Sequence, residues 1–595
     1  MRNTCKKLFS SLNFRYVSRK QQVHKKFPWT SLAVSAAILL IAITAFYKLG
    51  NDNQAIKSLF DNLPKFFNFK DYHSITGDVY TTSDTFQKSI EFIFKTIGIA
   101  LVGTVIGAFA ALPLAFLASK NTIKSKFIYI PMRIVLSIMR AFPPILLAYI
   151  LKYEFVSDTN GVITISIFVA SIMAKWMYEE FDSVDTESQM MLEAFGANKW
   201  MAFKRGLFPQ VTAKFVSLTL YAFEMTVRFA SILGVIGLTG IGVLISRYQS
   251  IPGTWGQLTV VISVIVMFVM LIEALAWGIR KFILNNKAKD YSTEFKEKGL
   301  GNNEESVQWV LKNPRKLWIP KVIFALASIG IVIYFALNLR FDVLRNTDEF
   351  PVLLKALSKP EWKFITDWSL DNNAVKLALE SLGMVVCSII IGLILAIPIG
   401  LIASRNVAPI YVAFVFRFIL ILIRSVPAYV YAIVLWMGGT NPNFVGALAL
   451  GIHAIGMMGK LIAESADNID KETISAGNAF GMGTFAKIKY IIWNSVRPQI
   501  FSTAIYRVEI NFKQTVMLGA LGISAFGYEM LNATAKLSTY GKASAFIIVT
   551  LGVVLILEQI SNMTRLKINR GYIFRKPKNK FKEEYYSTIN LDAKK

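Results

Sequence analysis

Apolar runs long enough to cross a bilayer recur along nearly all of this 595-residue chain, and that recurrence limits its fold more than any motif does. A hydrocarbon core takes about 20 residues of helix, because each residue rises only ~1.5 Å and no water is present to satisfy a bare backbone. Such runs stand near 29–47, 89–118, 127–150, 161–178, 206–233 and 254–282. They stand again near 317–337, 374–403, 409–437, 443–462, 491–519 and 541–561. Their lengths predict an all-α polytopic membrane protein with about 12 transmembrane helices. With 54% hydrophobic and 17% charged residues, the chain lacks the polar linkers that a soluble protein of this length needs between its domains.

The formal net charge is +27, yet Lys and Arg sit in short clusters between apolar runs and form no single patch for nucleic acid. That distribution orients a membrane protein. The segment 1–28 carries Arg2, Lys6, Lys7, Arg15, Arg19, Lys20, Lys25 and Lys26 with no acid, and 562–595 is again dominated by basic residues. Both termini are therefore expected in the cytoplasm, which requires an even number of crossings. The mixed-charge segments 48–88 and 338–373 are expected outside, and the Lys-rich 283–316 inside. The first run follows a basic stretch, as the core of a signal peptide does. It is long for one and has a counterpart at 317–337, so it reads as retained. Cys5 and Cys387 exclude a disulfide framework or Cys-rich metal cluster. His24, His73 and His453 have no metal-ligand spacing, and His453 on an apolar helix reads as a packed residue. No catalytic constellation emerges.

The two halves are copies. Ala111-Leu-Pro-Leu-Ala-Phe-Leu-Ala-Ser-Lys-Asn121 lies on Ala396-Ile-Pro-Ile-Gly-Leu-Ile-Ala-Ser-Arg-Asn406, a shift of 285 residues. The same shift lays Tyr221-Ala-Phe-Glu224 on Tyr506-Arg-Val-Glu509, and Glu273 and Arg280 on Glu558 and Arg565. The organisation expected is a basic tail 1–28, a first six-helix repeat 29–282, a cytoplasmic linker 283–316, a second repeat 317–561 and a basic tail 562–595. Because each repeat begins and ends on the same side, the two are parallel, related by an axis along the membrane normal, with a central path between them.

Charges inside spans are costly, so they face protein or a water-filled path. Arg140 matches Arg424, Lys175 matches Lys460, and Glu224 with Arg228 matches Glu509 with Lys513. Each Glu stands four residues before its cation, so each pair either neutralises itself along one helix or lines the translocation path. Arg140 and Arg424 have no such acid nearby, which leaves snorkelling at a helix end or an anion-lined cavity. Gly234, Gly237 and Gly242 match Gly519, Gly522 and Gly527. They end a membrane helix and link no strand to a helix, so they are not a phosphate-binding fingerprint. Close helix packing with a turn and an outer gate at Gly234, Gly237, Gly519 and Gly522 are the two readings.

The loops 179–205 and 464–490 hold Leu192-Glu-Ala-Phe-Gly-Ala197 and Gly477-Asn-Ala-Phe-Gly-Met482, each followed by a basic helix, with Pro209 thirteen residues after Gly196. They resemble the coupling loop of binding-protein-dependent ABC importer permeases. The family's Glu-Ala-Ala reads Met190-Met-Leu192 and Ser475-Ala-Gly477 here, and Asn494 replaces the second proline. Across both halves the chain is more narrowly similar to the phosphonate-transporter permease family. The carrying segments are Tyr506-Arg-Val-Glu-Ile-Asn-Phe-Lys513, then Leu518-Gly-Ala-Leu-Gly522, with Tyr221-Ala-Phe-Glu-Met-Thr-Val-Arg228, then Leu233-Gly-Val-Ile-Gly237. As a fused double copy it is also similar to the large permease of the mollicute high-affinity transport system.

The resemblance implies a type I ABC importer permease fold in a bacterial plasma membrane, with Ala194, Gly196, Ala197, Ala479 and Gly481 in coupling loops. It implies two copies of an ABC ATPase subunit and an extracellular solute-binding protein or lipoprotein as partners. No Gly-x4-Gly-Lys-Ser/Thr occurs, so ATP and Mg are expected on the ATPase and this chain is expected to be neither an enzyme nor the holder of a cofactor. The substrate implied is a phosphonate or phosphate-ester-like anion, with thiamine, a phosphorylated vitamin or phosphate as alternatives. An ion-coupled secondary transporter is the rival class, and it calls for a buried acid without a basic partner.

Overall fold

The computed structural model describes residues 15–18, 21–24, 53–69, 72–73, 79–152, 154–251, 253–281, 318–342, 349–436 and 441–570. The expected run at 29–47, the linker 283–316, most of the tail 1–28 and the tail beyond 570 lie outside them. Every other expected run falls on a helix. In the first half these are Thr82–Ala118, Lys126–Ala141 with Pro144–Leu151, Ser157–Ser183, Phe208–Leu233 and Trp255–Ile279. In the second they are Trp318–Asn338, Ala374–Ile402, Ile410–Ser425 with Ala428–Trp436, Pro442–Asp467, Trp493–Gly519 and Tyr540–Arg570. Among the described residues seven helices are long and apolar enough to cross a membrane, or nine if each bent pair is one span. Helix Trp493–Gly519 takes its place in the repeat although it carries Arg507, Glu509 and Lys513. Strands among these residues are two short antiparallel pairs, Arg15–Ser18 with Gln21–His24 and Tyr72–His73 with Val79–Tyr80.

Two runs that read as continuous in the sequence are broken, each by 78°. The cause is local. Phe142 precedes Pro143, and Val426 precedes Pro427, and a residue before proline is pushed out of the helical region by the ring. Phe142 takes φ −71° and ψ 124°, and Val426 φ −78° and ψ 119°. Proline also lacks the amide that would continue the ladder.

Small residues bring the helices of each half together. A methyl on Gly107 would lie 2.8 Å from Val169 Cβ, which joins Thr82–Ala118 to Ser157–Ser183 at close range. Gly392, the repeat counterpart, meets Ala454 Cβ at 2.9 Å in the same way. Lipid tails are as apolar as leucine, so this packing and buried polar contacts supply what hydrophobic burial supplies in water. Thr104 and Thr226 hydroxyls meet at 2.7 Å, and Asn511, the counterpart of Thr226, donates Nδ2 to Ser388 Oγ at 2.9 Å.

A clasp closes one end of each half. Asp182 accepts from Ser119 Oγ at 2.8 Å and the Lys120 amide at 3.0 Å, and pairs with Arg133 at 2.7 Å. Asn121 donates to Phe181 O at 2.9 Å and Arg133 Nε to Ala118 O at 2.8 Å. In the second half Asp467 accepts from Ser404 at 2.8 Å and the Arg405 amide at 2.9 Å, and pairs with Arg417. Asn406 donates to Ala466 O and Arg417 Nε to Ala403 O, both at 2.8 Å. The Ala-Ser-Lys/Arg-Asn signature that revealed the duplication is this clasp.

Candidate functional site

The short helices Glu187–Ala194 and Lys471–Ala479 occupy the clasped end of their halves, where Lys124 reaches Glu193 at 3.9 Å and the Phe116 ring packs edge-on against Phe203. Each stops in a Schellman turn, in which a left-handed residue lets two later amides satisfy carbonyls of the last turn. Gly196 adopts φ +87°, its amide donating to Glu193 O and the Ala197 amide to Leu192 O, both at 3.0 Å. Gly481 adopts φ +67°, its amide donating to Asn478 O at 2.9 Å and the Met482 amide to Gly477 O at 3.0 Å. The chain re-enters the bundle through a π-helical turn in each half, Phe203–Leu207 and Ile488–Ile492, which widens the helix just before its long apolar stretch.

Ala194, Phe195, Ala479 and Phe480 all lie at the surface of these turns. Phe195 is 89% exposed and Phe480 84% exposed, and Trp200 and its counterpart Phe485 are exposed as well. Matched aromatic side chains are thus held out beside a polar turn in each half. The sequence signal was present, since Ala-Phe-Gly is identical in both copies, but spacing gave the phenylalanine no role.

The buried charges meet across the two halves. Arg140 forms an ion pair with Glu558 on the last helix of the other half, and Lys175 approaches the same carboxylate at 3.7 Å. Reciprocally, Arg424 of the second half pairs with Glu273 on the last helix of the first and approaches Glu224 at 3.4 Å. Glu224 also pairs with Arg228 at 2.7 Å, and Glu509 with Lys513 at 2.8 Å, each along its own helix. Arg140 and Arg424 thus neither snorkel nor stand alone. Lys175 stands seven residues along its helix from Asp182, so the Arg140 pair lies about 10 Å inside the clasp. More contacts seal the seam at the second bend. Arg228 Nη1 donates to Arg424 O at 3.2 Å, and Tyr429 Oη donates to Ser231 Oγ at 2.8 Å.

Among the described residues Arg507 has no acid paired with it. Arg507, on Trp493–Gly519, is 3% exposed, and its Nε and Nη2 meet no hydrogen-bond partner.

The glycine segments form a second pair of matched turns. Gly237 adopts φ +86° and Gly522 φ +75°; their amides donate to Gly234 O at 3.0 Å and Gly519 O at 2.9 Å. Gly234 packs on the backbone of Gly242, where an added methyl would lie 2.7 Å from its Cα, and Gly519 packs on Gly527 likewise. In the first half Lys152 Nζ donates to Ile236 O at 3.0 Å and fastens this turn to the bent helix.

Residues 388–563 match the family of binding-protein-dependent transport system inner membrane components. The chain is 24% identical to the phosphate-import permease protein PhnE of Mycolicibacterium smegmatis over 485 residues, covering 80% of this chain and 84% of that protein. It is 23% identical to the ABC transport system permease protein p69 of Mycoplasma pneumoniae over 505 residues, 83% of this chain and 89% of the relative. It is 30% identical to the putative cryptic phosphonate transport system permease protein PhnE2 of Escherichia coli over 124 residues, 21% of this chain and the whole of that protein. No solved structure matches it. Duplicated helices, reciprocal ion pairs and paired surface turns are therefore features of a chain that belongs to the family of inner membrane components of binding-protein-dependent transport systems.

Proposed function

We propose that this chain is the membrane-spanning subunit of an ATP-driven importer for small phosphorus oxyanions, a class that includes phosphonate, phosphite and phosphate. The observation that carries the reading is the pair of turns ending at Gly196 and Gly481. Both present an exposed phenylalanine at the same end of a two-fold repeated bundle, one contact surface for each of two identical motor subunits. A short helix tied through a π-helical turn to a membrane helix moves with its partner and transmits that motion to the half that carries it. ATP and Mg would be held by the motor subunits, and both ends of the chain would lie on their side of a plasma membrane. A solute-binding protein would dock on the opposite face, near the turns at Gly237 and Gly522. The substrate class rests on the relatives named for phosphate and phosphonate. The test is reconstitution of the chain with its ATPase and binding protein in vesicles. Methylphosphonate, phosphite or phosphate should stimulate ATP hydrolysis and enter the lumen only when all three components are present. Stimulation by an unrelated neutral solute alone would overturn the substrate class, and uptake without the ATPase would overturn the importer class.

A further inference from the structure

We propose that Arg507 is the point at which a tetrahedral oxyanion is held as it passes between the two halves. This rests on the importer reading above and names the side chain that recognises the charge.

Arginine is a permanent cation. Its guanidinium stays protonated in a protein, so burial cannot be relieved by losing the proton, and a buried cation needs a counter-charge or a full set of acceptors. Arg140, Arg228 and Arg424 each have a carboxylate within the seam. Arg507 has none among the described residues, and Nε and Nη2 are left without acceptors there. Its helix touches Pro144–Leu151 of the first half, and Tyr221 and Arg228 of that half act on its charge electrostatically, as does Tyr506 beside it. His453 lies in the field of the same set, Arg507, Arg228 and Arg424, with its Nδ1 engaged by Val426 O at 3.2 Å. Arg507 thus adds to the seam a positive charge that no carboxylate among the described residues pairs with.

The duplication supplies an internal control. The position equivalent to Arg507 in the first half is Ala222, also buried, on a helix of the same course between the same turns. The repeat therefore folds with a methyl group at this position, and the guanidinium is not needed to build it. A planar fork with free donors on one edge matches two oxygens of a phosphonate or phosphate, as arginine commonly binds such groups.

The decisive experiment uses the complete complex of this chain, ATPase and binding protein in vesicles, comparing wild type with Arg507→Met and Arg507→Lys. Methylphosphonate is the probe, with assembly checked by co-purification. Wild type should accumulate methylphosphonate, and the complex in detergent should melt at a higher temperature in its presence. Arg507→Met should assemble, lose that ligand-dependent shift and take up the probe at least about tenfold more slowly, as expected when a charge-assisted hydrogen bond is lost. Arg507→Lys, which keeps the charge without the fork, should fall between them. Uptake by Arg507→Met at the wild-type rate would overturn the proposal. If that variant does not assemble, Arg507→Lys decides: wild-type uptake and melting shift overturn the role, and reduced uptake by an assembled complex supports it. If wild type itself takes up neither methylphosphonate, phosphite nor phosphate, the oxyanion reading of the whole importer fails with it. A silent wild type distinguishes that outcome.

Discussion

Arg140 and Glu558, separated by 418 residues, form a buried ion pair between the two halves, and Arg424 and Glu273 form the same pair with the halves exchanged. Removing one partner leaves a charge stranded in a low-dielectric interior, which costs about 3–5 kcal/mol in comparable sites. Glu558→Gln should therefore lower the thermal midpoint strongly, and Arg140→Gln combined with it should recover only part of the loss, because Lys175 has lost the same carboxylate. The cycle of single and double variants measures the coupling, and simple additivity would show that the two residues act independently.

Gly196 and Gly481 have open space where a side chain would grow, so their intolerance is conformational and not steric. Alanine in a left-handed backbone costs about 1–2 kcal/mol, and asparagine less because its side chain bonds locally. Uptake per ATP hydrolysed should fall in the order glycine, asparagine, alanine at either position. Equal coupling for Gly196→Ala and wild type would remove the turn from the transmission path.

Gly234 is constrained differently, since its neighbour is the Gly242 backbone, which cannot rotate away. Gly234→Ala should destabilise by at least about 1–3 kcal/mol through overpacking. Gly278, in helix Trp255–Ile279 with nothing near it, is the control, and Gly278→Ala should stabilise by about 0.5–1 kcal/mol through helix propensity. Thermal midpoints of the two variants read against each other separate crowding from backbone preference.

Asp182 and Asp467 each gather a hydroxyl, an amide and an arginine at the clasped end. Asp182→Asn should cost about 1.5–3 kcal/mol, the range for a hydrogen bond to a charged group. Asp467→Asn should cost a similar amount because the geometry repeats. Faster hydrogen exchange near Ser119 in the first variant and near Ser404 in the second would locate the loss, and a shift in only one of them would show that the halves are not equivalent there.

The helices and the duplication were legible because both are periodic: apolar runs report the bilayer, and a constant shift reports the copy. Gly196 and Gly481 were singled out by the resemblance to a coupling loop, and the structure gives glycine there a physical reason, a turn that needs positive φ. The bends were not, although Phe142-Pro-Pro144 was in view, because lipid surrounds a straight and a bent apolar run alike. The acids of Arg140 and Arg424 were hidden for a topological reason: each sits on the last helix of the opposite half, and no local spacing encodes that crossing. Arg507 escaped because comparing the copies highlights what they share, and Ala222 stands opposite it.

Since each half carries the carboxylate that the other's arginine requires, the covalent link between them is not what unites them. Two separately translated pieces, cut within 283–316, would retain every one of these reciprocal attachments and would be expected to find each other in the lipid. Fusion into a single polypeptide then fixes equal dosage of two unlike subunits, and that allows a residue such as Arg507 to exist on one side alone.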